Sequence, residues 1–155
     1  MGRRVAKQLS LLHLVALCAI GLACHAGEAD RIRVAVVPFG AAKGGSAPPV
    51  DVAEVIRADL ASSGRFAPMD AAEMPSHPTA LGDVRYEDWR RANADYVVIG
   101  FVARVHDGGH EVEFRLLDTR TRTTLVGFLV PSAPDALEQT AREIAKMLDQ
   151  RLSAS

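Results

Sequence analysis

The chain has 155 residues, of which 48% are hydrophobic, 24% charged and 5% aromatic. That length predicts one domain, and that composition excludes collagen, coiled coil, disulfide scaffold and intrinsic disorder. A formal net charge of -1 leaves no global field to hold nucleic acid or an anionic membrane.

Residues 1–26 read as a leader. Arg3, Arg4 and Lys7 give a positive start, an apolar run from Leu11 to Ala23 is interrupted by His13, and Cys24-His25-Ala26 follows. A basic start, a short apolar stretch and a small-x-small site describe a secretory signal peptide. The run is shorter than the about 20 apolar residues that a membrane span needs. The expected cut lies between Ala26 and Gly27, leaving residues 27–155 as a single exported domain with no membrane span. A second reading keeps Cys24 as the lipidated first residue of a lipoprotein. Gly21 stands three residues before it, where such sites take a bulky aliphatic side chain. Both cysteines, Cys18 and Cys24, belong to the leader, so the exported chain needs no disulfide. Removing Arg3, Arg4 and Lys7 from 18 basic residues while keeping all 19 acidic ones moves the net charge from -1 to -4, further from nucleic-acid binding.

Residues 33–39 (RVAVVPF) predict a buried strand stopped by Pro38 and the following glycine. Residues 40–49 predict a flexible loop. Residues 51–63 predict a helix with Val52, Val55, Ile56 and Leu60 on one face and Gly64 just past its end. A second strand is expected over 65–69, one helical turn over 70–74 and a loop over 75–83. A short helix over 85–93 places Tyr86 and Trp89 at i and i+3. Residues 96–105 predict a strong strand in which Gly100 marks a bulge or a close backbone approach. Asp107-Gly108-Gly109 signals a hairpin. Residues 111–117 alternate Glu111, Glu113 and Arg115 with Val112, Phe114 and Leu116, the pattern of a half-buried antiparallel strand. A last strand over 123–130 follows. Ser132 is the expected N-cap of a terminal helix with Leu137, Ala141, Ile144, Ala145, Leu148 and Leu152 on one stripe. The order β-α-β-α-β-β-β-α predicts an α/β two-layer sandwich, helices packed on one mixed five-stranded sheet.

The residues point to no catalytic or cofactor chemistry. A phosphate loop needs G-x-x-x-x-G-K-S/T, but here Lys43 precedes Gly44, Gly45 and Ser46, and Pro48 and Pro49 remove backbone donors. No cysteine remains after cleavage, and no G-x-S-x-G elbow is present. His106 and His110 flank the hairpin, too few for a metal centre, and read with His77 as solvated turn residues. Trp89 reads as a core plug. The expectation is a non-enzymatic protein with no metal and no cofactor.

Six motifs in fixed order say more: Val34-Ala35-Val36-Val37-Pro38-Phe39, Val55-Ile56-Arg57-Ala58-Asp59-Leu60, Ser63-Gly64-Arg65-Phe66, the lone Trp89, Ala94-Asp95-Tyr96-Val97-Val98-Ile99-Gly100, and Val112-Glu113-Phe114-Arg115-Leu116-Leu117-Asp118. This series, over about residues 31–152, resembles the amino-terminal domain of the TolB family of the Tol-Pal cell-envelope system. The resemblance implies an α/β domain followed, in full-length members, by a β-propeller. In that family the propeller binds Pal and the extreme N-terminal segment binds TolA. Here the sequence stops at Ser155, and only Gly27 to Ile32 separate the expected cut from the first strand. The expectation is therefore a domain without propeller and without most of the TolA-binding extension, and no interface residue carries over. Thr140-Ala141-Arg142 stands where an Ala-His pair is expected.

The expected function is a periplasmic protein-interaction module related to Tol-Pal, with envelope proteins as partners. Two alternatives stand beside it: an outer-membrane lipoprotein accessory factor built on Cys24, and a small periplasmic ligand-binding protein. The expected partner surface is the loop carrying Gly40, Lys43, Gly44, Gly45 and Ser46, with the adjoining strand end. Pairing of the N-terminal tail with a partner's sheet edge is a second route.

Overall fold

The computed structural model describes residues 31–42 and 45–154. The leader, Cys24 and the cut between Ala26 and Gly27 lie outside the described residues, as does the tail before Arg31. Strand β1 (Ile32–Val36) is followed by β2 (Gly40–Ala41), α1 (Val52–Ser62), β3 (Phe66–Pro68), α2 (Tyr86–Arg91), β4 (Tyr96–Arg104), β5 (His110–Asp118), β6 (Thr123–Ser132) and α3 (Leu137–Ser153). Two single 3-10 turns, Ala71–Glu73 and Leu81–Asp83, lie between β3 and α2.

The sheet runs β3-β1-β4-β5-β6, parallel on its β3-β1-β4 side and antiparallel across β4-β5-β6. It is mixed, as expected, but has six strands rather than five. The sixth is β2, placed in the expected loop by sequence. The nine residues of β4 outrun the five of β1, so the far half of β4 has ladder groups that β1 cannot reach. Buried backbone groups demand partners. The chain after Phe39 supplies them, setting Gly40 against Phe101 and Ala41 against Val102, with Ala42 N–H donating to Val102 O at 3.0 Å.

Strand alternation divides the apolar side chains between two faces. Val34, Val36, Val98, Val102, Val112, Phe114 and Leu116 meet Val52, Ile56 and Leu60 of α1 and the stripe Leu137, Ala141, Ile144, Ala145, Leu148 and Leu152 of α3. Ala35, Val37, Val97, Ile99 and Leu117 form a smaller cluster with Met69, Met74, Val84 and Ala94 around Trp89, which is 0% exposed. Gly100 is a close approach, not a bulge. A Cβ there would meet the backbone oxygen of Glu113, and the Phe39 ring edge at 2.7 Å. The register shift falls instead between Leu116 and Leu117 of β5 against β6.

Asp51 caps α1 by accepting from Glu54 N–H at 3.0 Å, and Gly64 leaves the helix at φ +72°. At the other end of the sheet, Arg33 N–H donates to Asp95 Oδ2 at 3.1 Å, and the buried Thr119 hydroxyl reaches Ala94 O at 2.7 Å. These bonds stitch β1, β4 and β5 together. The expected cap of α3 is displaced. Ser132 is the last residue of β6, opposite His110, and the helix starts at Leu137 after a turn closed by Ala136 N–H to Ala133 O. Ladder pairing holds Ser132 in extended backbone and takes it out of the capping position. Its hydroxyl is instead bonded by Thr140 Oγ1 at 2.9 Å, fastening the first turn of α3 to the strand. Among the described residues no helix is long and apolar enough to cross a membrane.

Candidate functional site

The antiparallel ladder of β4 and β5 ends on the pair Arg104 and His110, next to the turn closed by Val105 N–H to Gly109 O at 3.0 Å. Alternation puts Arg104 on the side of Val102, and His110 on the side of Val112 and Phe114, which is the face covered by α1 and α3. The segment 45–49 between β2 and α1 passes over this end of the face. It closes a cleft of about 180 Å³ lined by Ser46, Pro48, Pro49, Val102, Arg104 and His110, among others. Pro48 and Pro49 hold that wall extended, each with its φ fixed by the ring.

The cleft floor is polar in one place. His110 is 5% exposed, and its Nδ1 is buried with no hydrogen-bond partner among the described residues. Arg104 is exposed and has no ion pair among the described residues. Asp107, in the hairpin turn, spends one carboxylate oxygen on Gly109 N–H at 2.9 Å. Asp51, next to the proline wall, is engaged in capping α1. The cleft therefore sets an exposed arginine beside a nearly buried histidine, paired across the ladder.

The expected loop residues separate. Gly40 belongs to β2 and faces Thr79, whose Cγ2 lies 2.8 Å from where a Cβ would stand. It is a sheet residue, not a mobile loop residue. Lys43 and Gly44 lie outside the described residues. Gly45 and Ser46 are exposed and line the cleft, with Gly45 N–H turned back onto Ala42 O at 2.7 Å. His77 and His106 are exposed, as expected, but His110 is not a solvated turn residue. It opens β5, and the apolar alternation Val112, Phe114, Leu116 extended back by two positions lands on it. That step would have found it from the sequence. Arg104 carries no comparable signal, because its role depends on the register opposite His110. Among the described residues no three of His, Cys, Asp and Glu gather in reach of one metal ion.

Comparison with known proteins places this architecture. The TolB amino-terminal domain family model matches residues 22–125. The Tol-Pal system protein TolB of Thioalkalivibrio sulfidiphilus is 34% identical over 153 residues, 99% of this chain and 35% of that protein. The TolB of Nitrosococcus oceani is 39% identical over 129 residues, 82% of this chain and 29% of that protein. Among solved structures, TolB from Acinetobacter baumannii superposes with a TM-score of 0.67 at 25% identity, covering 80% of this chain and 29% of that one. The LpoB C-terminal domain from Salmonella enterica shares the fold, with a TM-score of 0.55 at 13% identity over 66% of this chain and 82% of that one. The chain thus spans about a third of the length of the curated relatives it matches.

Proposed function

Because the chain belongs to the TolB amino-terminal domain family, we propose that it is a non-enzymatic, periplasmic protein-interaction module serving the Tol-Pal envelope system. Residues 1–26 act as its export leader, cleaved between Ala26 and Gly27. Its partners are other envelope proteins, drawn from the Tol-Pal components. The observation that carries this reading is the family match running from the leader through β5, joined to the likeness in fold to a solved TolB. The segment 45–49 and the cleft beneath it are the docking surface. A loop held by two prolines over a rigid sheet end offers exposed backbone and side chains at little ordering cost.

Crosslinking in cells tests the proposal. A photoreactive residue at Ser46 is expected to yield adducts with envelope proteins, identified by mass spectrometry, whereas one on the solvent face of α3 at Gln139 yields far fewer. Recovery of monomer alone from Ser46 would overturn the docking surface. Intact-mass measurement of the exported protein is expected to find Gly27 first. A lipidated Cys24 at the N-terminus would replace the cleaved leader with a membrane anchor.

A further inference from the structure

We infer that β6 is a self-association edge: two copies of this chain pair antiparallel along β6, about a two-fold axis through Phe128. The inference stands apart from the partner surface at residues 45–49 and does not depend on it. β6 has ten residues, none charged, and no strand on its outer side among the described residues. The opposite edge, β3, has three residues and ends on Pro68. Of the described residues, the exposed large apolar side chains are Leu81, Phe128 and Leu129, and the last two lie on β6. A long, uncharged edge with free backbone groups is a template for another strand.

Backbone alternation defines what that edge offers. Val105 N–H donates to Gly109 O at 3.0 Å, so His110, next along, directs its backbone groups away from β4 and toward β6. His110 faces Ser132. Stepping back along β6 from there turns Val130 and Phe128 to β5, and Pro131, Leu129 and Gly127 outward. The donor that Pro131 lacks is therefore one that β5 does not need. Gly127 has no use within its own chain. Its φ is not positive, and a Cβ there would stand 3.7 Å from Arg115 Cγ, an ordinary contact. Glycine inside a strand weakens it, and often marks the place where another backbone comes close.

A second copy fits this pattern. The two-fold axis sets Gly127 against Leu129 of the copy, and Leu129 against the copy's Gly127. Both residues face outward, so each pair exchanges its two N–H···O bonds, and the Leu129 side chain lies over the glycine. Phe128 meets its own copy in the closer, non-bonded pairing, on the face where its ring lies 6.0 Å from that of Phe114. Val126 meets Val130. Each row across the seam reads Arg115, Gly127, Leu129, Glu113, with opposite charges at its two ends and none at the seam. A foreign strand finds no charge on β6 to select it, whereas the strand's own copy matches it residue by residue. A strand pair alone buries less than the about 1,200–2,000 Å² of a standard interface, so the dimer is weak and concentration-dependent.

Sedimentation equilibrium of the exported protein, from micromolar to millimolar concentration, tests this. A monomer–dimer equilibrium is expected. Leu129→Lys and Gly127→Glu are each expected to weaken it roughly tenfold or more, with the melting midpoint of the dilute protein little changed. The double variant is expected to regain it, because each new lysine then faces a new glutamate. Phe128→Cys is expected to oxidise to a disulfide dimer, while Thr124→Cys, set opposite Ser132 of the copy, is not. A protein that stays monomeric throughout overturns the inference. So does a dimer that both single variants leave intact, a double variant that stays monomeric, or equal oxidation of the two cysteine variants. A photoreactive residue at Phe128 that captures other proteins in cells, and never a second copy, overturns it too.

Discussion

Trp89 shows how much one side chain carries. It is 0% exposed and is the largest member of the second core cluster, touching the sheet face that α1 and α3 leave open. Trp89→Ala is expected to lose about 3–5 kcal/mol in denaturant melts, as large aromatic truncations do. Its Nε1 has no partner among the described residues, so Trp89→Phe is expected to lose less. Gly100 is constrained from the other direction. Its missing side chain leaves room for the Glu113 carbonyl and for the Phe39 ring, 2.7 Å from where a Cβ would be. A backbone carbonyl cannot rotate away as a side chain does, so Gly100→Ala is expected to lose about 1–3 kcal/mol by the same measurement. His110 should behave oppositely. An apolar residue of similar size abolishes the unsatisfied nitrogen, so His110→Leu is expected to keep or raise stability, by up to about 1–3 kcal/mol. A loss of stability in that variant would show that the imidazole makes packing contacts that leucine cannot reproduce.

Among the elements, α1 and α3 were the most legible. Their apolar spacing of three and four residues named every buried apolar residue of α3, though not the buried Thr140, and most of the buried face of α1. On α1, Ala53 is fully buried while Val55 is only half-buried. Asp51 was legible as a helix start because a short acceptor before an apolar-periodic run is what an open helix end needs. Asp51→Ala is expected to lose about 1 kcal/mol in thermal or denaturant melts. The start of α3 was misplaced because Ser132 satisfies two competing patterns, strand partner and helix cap, and cross-strand pairing with His110 won. Strand β6 carries a different consequence. It is the ten-residue edge of the sheet, TTLVGFLVPS, with no charged residue, and Phe128 and Leu129 are 53% and 55% exposed. Pro131 and Gly127 are its only breaks, and uncharged edges invite pairing with other chains. Leu129→Lys is expected to change stability by less than about 0.5 kcal/mol and to lower light scattering of concentrated solutions. Unchanged scattering would show that β6 does not self-associate.

At the scale of the whole molecule, the two core clusters are not independent. Val34 and Val36 belong to one, Ala35 and Val37 to the other, so a single strand anchors both. Loss of either cluster removes the support of the other. Unfolding is therefore expected to be one cooperative transition. The lone tryptophan reports the second cluster, and backbone circular dichroism reports mainly the helices of the first. The two probes are expected to give the same midpoint. An earlier loss of the Trp89 signal would mean that the segment between β3 and β4 opens by itself.

Local chemistry by itself determined the succession of strands and helices apart from β2, the buried apolar side chains of α3, the hairpin at Asp107-Gly108-Gly109 and the family resemblance. Each depends on residues close together in the chain, where period, turn propensity and capping act directly. Tertiary structure alone decided the sixth strand, the position of Ser132 and the identity of the cleft. The extra strand exists because β4 is longer than β1, a mismatch that appears only when the two lie side by side. Arg104 and His110 meet because a ladder register sets them opposite each other, and residues 45–49 reach them because β2 returns the chain along β4. β2 and residues 45–49 lie some sixty residues before β4 and β5, whereas Arg104 and His110 are six apart across one hairpin (110 − 104 = 6). No local pattern encodes the return of β2 and residues 45–49 along β4, since pairing energy between strands is defined only once both are present.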